Sequence, residues 1–392
     1  MQKTILSMID CMKVLPYGTQ SISLMDRFRV FQALDSGWLT CGPKVQEFEE
    51  AIANFCGAKH AIAVCNGTAA LHLVHLAIGY SKNDIGITSP NTFLASSNSI
   101  IYAGGTPQFI DIRSDDLNID ISKINTGSGK IRTITSVHFA GLPVNVKKLK
   151  KAFPETIIIE DGAHAIGSKF HDGEEWVKTG SCKYSLATIF SFHPVKHITT
   201  GEGGIITTSD DAFAAKLKQL RNHGMEKPAK HPDPWFYEMT DLGFNYRITD
   251  FQCVLGLSQL KKLDRFVKKR RKIAYLYQSE FKNISGISFA SEKSWQYSSY
   301  HLFPLLIDFA KFGITRAEFM NKLKAKSILT QVHYIPIYKQ PFYKKYFAHD
   351  ETDFPNMEAY YKKTISIPLY PKMSNRDVNR VIREIKTLLN IS

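Results

Sequence analysis

Apolar and polar positions follow two different periods along this chain. From about Gly42 to Ser209, short β-branched runs alternate with stretches whose apolar residues recur every three to four positions. That alternation predicts a mainly parallel sheet covered by helices. Strands are predicted at AIAVC, DIGITS, TPQFIDI, RTITSVHF, TIIIE, LATIFSF and GGIITT. In GPKVQEFEEAIANFCG, Val45, Phe48, Ile52 and Phe55 share one helical face, Pro43 suits the first turn and Gly57 suits the end. Ser23-Leu24-Met25-Asp26 predicts a capping box that opens a helix toward Gly37. AALHLVHLAIG predicts the helix after the first strand, and DAFAAKLKQLRNHG a helix that stops at Gly224.

Leu257, Leu260, Phe266, Val267, Ala274 and Tyr277 recur near helical spacing and predict one long basic helix with its cations mainly on the other face. Beyond it the pattern shifts to aromatic-rich strands and shorter helices, including HLFPLLI and SILTQVHYIP. The organisation read from this is an N-terminal extension over 1–22, a large domain over 23–270 and a small C-terminal domain over 271–392.

Composition changes this picture little. With 392 residues, 44% hydrophobic and 22% charged, the chain has the balance of a folded protein. No run approaches the roughly 20 apolar residues of a membrane helix, and Asp10 interrupts the only stretch resembling a leader. A cytoplasmic protein without membrane association is expected. The six cysteines, Cys11, Cys41, Cys56, Cys65, Cys182 and Cys253, show neither metal-ligand nor disulfide spacing, so inert thiols and no metal are expected. The net charge of +14 fits nucleic acid, an anionic surface or a polyanionic small substrate. Its densest run, Lys261 to Lys272, reads as a solvated helix face with no nucleic-acid motif beside it.

Chemistry concentrates just past predicted strands, where an open α/β sheet binds its ligands. Asn66-Gly67-Thr68-Ala69 lies between a strand and a helix start, which suits a phosphate, although a turn capped by Thr serves equally. Asp161 follows TIIIE and can hold a pyridinium nitrogen protonated, with His164 three residues on; a carboxylate capping a turn is the other reading. Lys196 sits in FSFHPVKHITTGEGG behind an apolar lead-in and among glycines, a setting for a partly desolvated amine that forms an imine. Ser191 offers a hydroxyl to a phosphate, and Phe93 can stack on a flat ring or pack in the core.

These segments, taken in order, resemble the DegT/DnrJ/EryC1/StrS family of sugar aminotransferases, and the resemblance runs from about Leu15 to Leu389. It is carried by Asn66-Gly67-Thr68-Ala69-Ala70, Thr92-Phe93, Glu160-Asp161-Gly162-Ala163-His164, Ser191-Phe192-His193-Pro194-Val195-Lys196 and Gly243-Phe244-Asn245-Tyr246-Arg247. The resemblance implies the fold of the type I pyridoxal-phosphate-dependent transferases, an α/β architecture. In it a large domain with a mainly parallel seven-stranded sheet is followed by a smaller α+β C-terminal domain. It also implies pyridoxal 5′-phosphate as cofactor and a homodimer with shared active sites. Matched by position, Lys196 is the Schiff-base lysine and the proton shuttle. Asp161 pairs with the pyridine nitrogen, His164 lies near the ring hydroxyl and Phe93 stacks on the ring. Thr68, Ala69 and Ser191 contact the phosphate, and Asn245 reaches it from the partner subunit with Arg247 assisting. Relatives that lack the lysine dehydrate their substrate; Lys196 points to transamination.

PYGTQSI, WLTCGPKVQEFE, RNHGMEK and QVHYIPIYKQPFY are similar to members that aminate C4 of a UDP-linked 4-keto-6-deoxy-N-acetylhexosamine for pseudaminic acid synthesis, with L-glutamate as donor. His333 and Tyr334 belong either to a sugar or nucleotide wall or to the packing of the small domain. Two other readings stay open. One is an aminotransferase for a GDP- or dTDP-linked sugar at C3 or C4; the other is a non-catalytic basic regulator on the same fold, motivated by charge alone.

Overall fold

The computed structural model describes residues 13–81, 83–125, 130–228, 230–347 and 349–391; Asp10 and Cys11 lie outside them. Helix α1 (Leu24–Leu34) opens on the expected capping box, with Ser23 and Asp26 bonding each other's backbone. Helix α2 (Pro43–Cys56) starts on its proline and ends at Gly57, whose φ of 81° is left-handed. Strand β1 (His60–Val64) leads to α3 (Gly67–Ile78), β2 (Ile85–Thr88) to α4 (Leu94–Tyr102), and β3 (Thr106–Phe109) to β4 (Ile131–Val137). Helix α5 (Val146–Ala152) precedes β5 (Ile157–Asp161). A hairpin of β6 (Lys169–His171) and β7 (Trp176–Lys178) comes before β8 (Ala187–Ser191) and β9 (Gly204–Thr208).

All seven predicted strands form one sheet, in the order β1-β9-β8-β5-β4-β2-β3. Only β9 runs antiparallel to its neighbours. Successive side chains on a strand point to opposite faces, and β8 and β9 thereby feed two cores. Phe190 and Ile205 join Phe48, Ile52 and Phe266 on one side, while Ile189 and Ile206 join Leu73, Val74 and Leu217 on the other. The register sets the functional edge: Val137 pairs with Asp161, Asp161 with Ile189, Ser191 with Gly204, and Gly204 with Val64.

Helix α6 (Asp211–Arg221) stops short of Gly224, which instead holds a turn at φ 72°. A two-residue ladder of β10 (Met225–Glu226) and β11 (Glu238–Met239) follows. The single long basic helix expected from periodicity is two helices, α7 (Asp250–Leu260) and α8 (Leu263–Phe281), parted at Lys261 and Lys262. One of its cations is not solvated: Arg270 is fully buried and donates to the carbonyls of Leu369 at 2.7 Å and His301 at 3.1 Å. Phe266 and Val267 of α8 pack in the sheet core, whereas Ile273, Ala274, Tyr277 and Phe281 pack in a separate C-terminal core.

That C-terminal core is built on β12 (Ile287–Phe289), β14 (Phe303–Ile307) and β15 (Thr364–Ile367), with α9 (Arg316–Ala325) and α12 (Asn375–Leu388) against them. Strand β13 (Gln296–Tyr297) extends the β6–β7 hairpin, and Tyr343 of α10 (Pro341–Tyr346) and Met357 of α11 (Pro355–Lys363) share a core with Phe109 of β3. SILTQVHYIP, expected as a strand, pairs only through isolated bridges at Ile328 and Gln331. Leu15 is buried in the C-terminal core, so the segment before α1 is woven into it.

Asp111, just past β3, ties the two parts together. It is buried, pairs with Lys123 at 2.8 Å and accepts the N–H groups of Asn356 and Met357 at the start of α11, at 3.1 and 2.9 Å. Removing it leaves these donors unmatched. Asp111→Ala is therefore expected to lower unfolding stability by about 2–4 kcal/mol in urea titration; a change below ~0.5 kcal/mol, the size of a neutral surface substitution, would contradict this role.

Candidate active site

Four strand ends converge on one cavity of about 530 Å³. Its lining includes Thr68, Phe93, Asp161, His164, Ser191 and Lys196, together with His333 and Tyr334 from the C-terminal part. Ala69, Asn245 and Arg247 are not in this wall.

The loop that carries Lys196 is folded back on the end of β8. The Phe192 carbonyl accepts from Thr200 N at 3.1 Å and Thr199 Oγ1 at 2.9 Å, and Phe192 N donates to Gly203 O at 2.8 Å. Lys196 is thereby held inside the cavity. Burial pushes its ammonium down to about 8, with the charge of Asp161 working the other way. An amine so placed offers a much larger neutral fraction near physiological pH than a solvated lysine, and it is the neutral form that attacks a carbonyl.

Asp161 receives the opposite treatment. It is buried at the end of β5, yet Ser96 Oγ donates to its Oδ2 at 2.5 Å and Ala163 N–H to its Oδ1 at 3.1 Å. Ser96 spends its proton there, so Thr92 Oγ1, 2.7 Å away, is the donor to Ser96. Ser96 in the first turn of α4, backed by Thr92 just before the helix, thus braces the carboxylate. Ser96 was not foreseen in the sequence, because its partner lies 65 positions away.

Helix α3 begins at the cavity floor. Its N-cap is Asn66, not Thr68, and Asn66 Oδ1 takes the Ala69 N–H at 2.8 Å. Ala69 therefore has no free donor, while Gly67 and the exposed Thr68 open on the cavity. A Cβ on Gly67 would stand 3.0 Å from the Ser191 Cβ, and one on Gly204 only 2.4 Å from Asn66 O. Glycine at both places lets the helix start, Ser191 and β9 close into a small cradle with free backbone donors, the donor set a phosphate requires.

Phe93 is 57% exposed, which removes the core-packing alternative, and its ring lies 6.2 Å from that of Tyr334. His164 is buried; its Nε2 meets the Tyr334 hydroxyl at 3.2 Å and its Nδ1 has no partner. Burial, then Lys196 and its histidine neighbours, hold it well below the usual imidazole range, so it is neutral. His333 packs as well as lines: its Nδ1 meets Ser366 Oγ at 2.9 Å, and the ring of Tyr17, a cavity residue unforeseen in the sequence, stands 5.1 Å away.

Asn245 is exposed outside the cavity, and Arg247 donates to Asn222 Oδ1 at 2.7 Å in a second cleft beside Glu49 and Arg221. Among the described residues no group of three or more His, Cys, Asp or Glu is placed to hold a metal ion, and no helix is long and apolar enough to cross a membrane.

A desolvated lysine, a braced carboxylate, an open aromatic face and a phosphate cradle in one pocket fit pyridoxal 5′-phosphate group by group. Fold and pocket define a pyridoxal-phosphate-dependent aminotransferase of fold type I. The chain belongs to the DegT/DnrJ/EryC1/StrS aminotransferase family, which it matches over residues 22–386. It is 39% identical over 383 residues to the spore coat polysaccharide biosynthesis protein SpsC of Bacillus subtilis, covering 96% of this chain and 97% of that one. It is 38% identical over 374 residues to the UDP-4-amino-4,6-dideoxy-N-acetyl-beta-L-altrosamine transaminase of Campylobacter jejuni, covering 94% and 96%. Among solved structures it resembles Helicobacter pylori PseC, an aminotransferase involved in the biosynthesis of pseudoaminic acid. There the TM-score is 0.88 and the identity 31%, over 96% of this chain and 100% of that one.

The depressed ammonium can be read without any cofactor. In the cofactor-free protein, reaction of Lys196 with a simple aldehyde, followed by peptide mass analysis, is expected to rise with pH about a midpoint near 8. A midpoint near 10.4, the value of an ordinary solvated lysine, would contradict the burial argument.

Proposed function

We propose that the chain transfers the amino group of L-glutamate to C4 of a UDP-linked 4-keto-6-deoxy-N-acetylhexosamine, in the cytoplasm, for pseudaminic acid or related surface-glycan synthesis. The observation that carries the reading is the pocket in which Lys196, its ammonium pushed down by burial, shares a wall with a braced Asp161. The altrosamine transaminase and PseC relatives support the sugar class.

Pyridoxal phosphate, when bound, draws electrons from the carbon that loses or gains a proton. Asp161, held in place by Ser96 and the Ala163 N–H, would face its ring nitrogen. The cradle of Gly67, Thr68 and Ser191 would take its phosphate, and Phe93 would cover one face of the ring. Lys196 would anchor the cofactor covalently. Once displaced, its Nζ removes the proton from Cα of glutamate in one half-reaction and delivers a proton to C4 of the sugar in the other. His333 and Tyr334 would border the sugar. The excess of positive charge favours arrival of a diphosphate-linked substrate.

Asn245 and Arg247 fit a role across a subunit boundary, since both lie outside the cavity of their own chain. The apolar side chains of Leu24, Phe28, Phe31, Trp38, Trp235 and Leu242 are each more than half exposed, an arrangement that a homodimer would cover. A second reading has one observation in its favour. SpsC is as similar as the altrosamine transaminase, which leaves room for a different nucleotide sugar.

The purified protein, given L-glutamate and a panel of UDP-, GDP- and dTDP-linked keto sugars, is expected to yield a UDP sugar aminated at C4. Turnover confined to GDP or dTDP sugars would overturn the substrate proposal. Lys196→Ala is expected to abolish turnover, and retained wild-type rates would refute its role. For the shared site, Lys196→Ala and Asn245→Ala chains are each expected to be impaired alone. Mixed, they should recover part of the activity by forming one intact pocket per heterodimer; no recovery would count against a residue lent across the interface.

A further inference from the structure

Behind His164, away from the cavity, stand two more buried histidines that the chemistry above does not use. The ring of His301 lies 4.4 Å from that of His164 at a tilt of 41°, and the ring of His197 lies 5.4 Å from that of His301 at 42°. His164, His197 and His301 are 5%, 3% and 4% exposed, and the Nδ1 atom of each lacks a partner in the protein. Such atoms are uncommon in a folded interior, and each one calls for an explanation. Here the orphaned atoms belong to one contiguous group.

The group joins the two segments that carry the chemistry. His197 is the residue after Lys196, and its Nε2 lies 3.1 Å from the Ser299 carbonyl. A carbonyl only accepts, so Nε2 bears the proton. Burial comes first, then the charges of Arg270 and Lys196, in holding His197 well below the usual imidazole range; the ring is neutral and its Nδ1 is a bare lone pair. His301 is held neutral by burial and by His164, Lys196, His197 and Arg270. Ser299 serves both segments: it accepts from His197 and its hydroxyl donates to His164 O at 3.2 Å, while Ser299 N bonds Gly141 O at 3.0 Å. His301 is fixed from its backbone, with its N–H on Ala140 O at 2.8 Å and its carbonyl accepting from Arg270. Tyr334 closes the other end through its hydroxyl on His164 Nε2.

We propose that His197 and His301 are positioning residues: with His164 they form a buried column of packed imidazoles that fixes the ring orientation of His164, keeps its Nε2 on the Tyr334 hydroxyl and ties it to the Lys196 segment. The inference rests on the reading of His164 as a neighbour of the cofactor ring. The column gives that neighbour a constant hydrogen-bonding character. A ring free to flip or to change tautomer would present a donor at one moment and an acceptor at the next.

Ring-nitrogen NMR of the full-length protein labelled with 15N-histidine, without cofactor, tests the column directly. The wild type is expected to show His197 protonated on Nε2 and His164 in one neutral tautomer across the neutral pH range. In His301→Leu, His164 should become a mixture of tautomers. His301→Phe, which keeps a flat ring packed against His164, should restore most of the single form. With cofactor bound, the midpoint of the pH-dependent visible band should move by about one unit in His301→Leu, the scale of a changed hydrogen bond from the reoriented His164, and by less in His301→Phe. A purely structural role would lower the melting temperature and leave both signatures in place, and that result would overturn the proposal. Should His301→Leu fail to fold, His197→Asn is read by the same two measurements. Failure of the wild type to take up cofactor would strike the function proposed above, and the cofactor-free spectra would still decide for or against the column.

Discussion

The structure turns on one electrostatic constraint: an amine, Lys196, and a carboxylate, Asp161, share one pocket. Desolvation disfavours any charge, and hydrogen bonds to a charged group offset it. The fold separates the two by hydrogen bonding rather than by distance. Asp161 receives Ser96 and a backbone N–H, whereas burial dominates at Lys196 and the charge of Asp161 only moderates it. The strand register does the placing. Asp161 pairs beside Ile189 on β8, and Ser191, two residues on, leads into the loop that carries Lys196.

Much of this was legible in the order of residues. Periodicity located all seven strands of the main sheet, because buried parallel strands leave dense β-branched runs. Lys196, Asp161, His164, Ser191, Thr68 and Phe93 were found by their places after strands, and the structure gathers them in one wall. What periodicity could not register was a break in phase that keeps the same face apolar. The helices either side of Lys261 and Lys262 therefore looked like one. It also could not tell that Arg270 points inward, because its acceptors are carbonyls supplied by distant segments.

The same limit hid the supports of the site. Ser96 reaches Asp161 across 65 positions and Tyr334 reaches His164 across 170, so neither contact has a local signature. Tyr17 belongs to a segment that reads as a leading extension, yet Leu15 is built into the C-terminal core and Tyr17 O accepts from Leu369 N at 3.0 Å. The wall facing the strand edge is therefore assembled from the beginning and the end of the chain. This is why α8, packed in both cores, and Asp111, capping α11, bear on the chemistry as much as on stability.

The claim beneath all of this is that Lys196 is the amine that holds the cofactor. Adding pyridoxal 5′-phosphate to the cofactor-free protein, reducing with borohydride and sequencing the modified peptide by mass spectrometry addresses it most directly. The account predicts a visible band that disappears on reduction and a single phosphopyridoxyl adduct on Lys196. An adduct on another lysine, or no band at all, would contradict it.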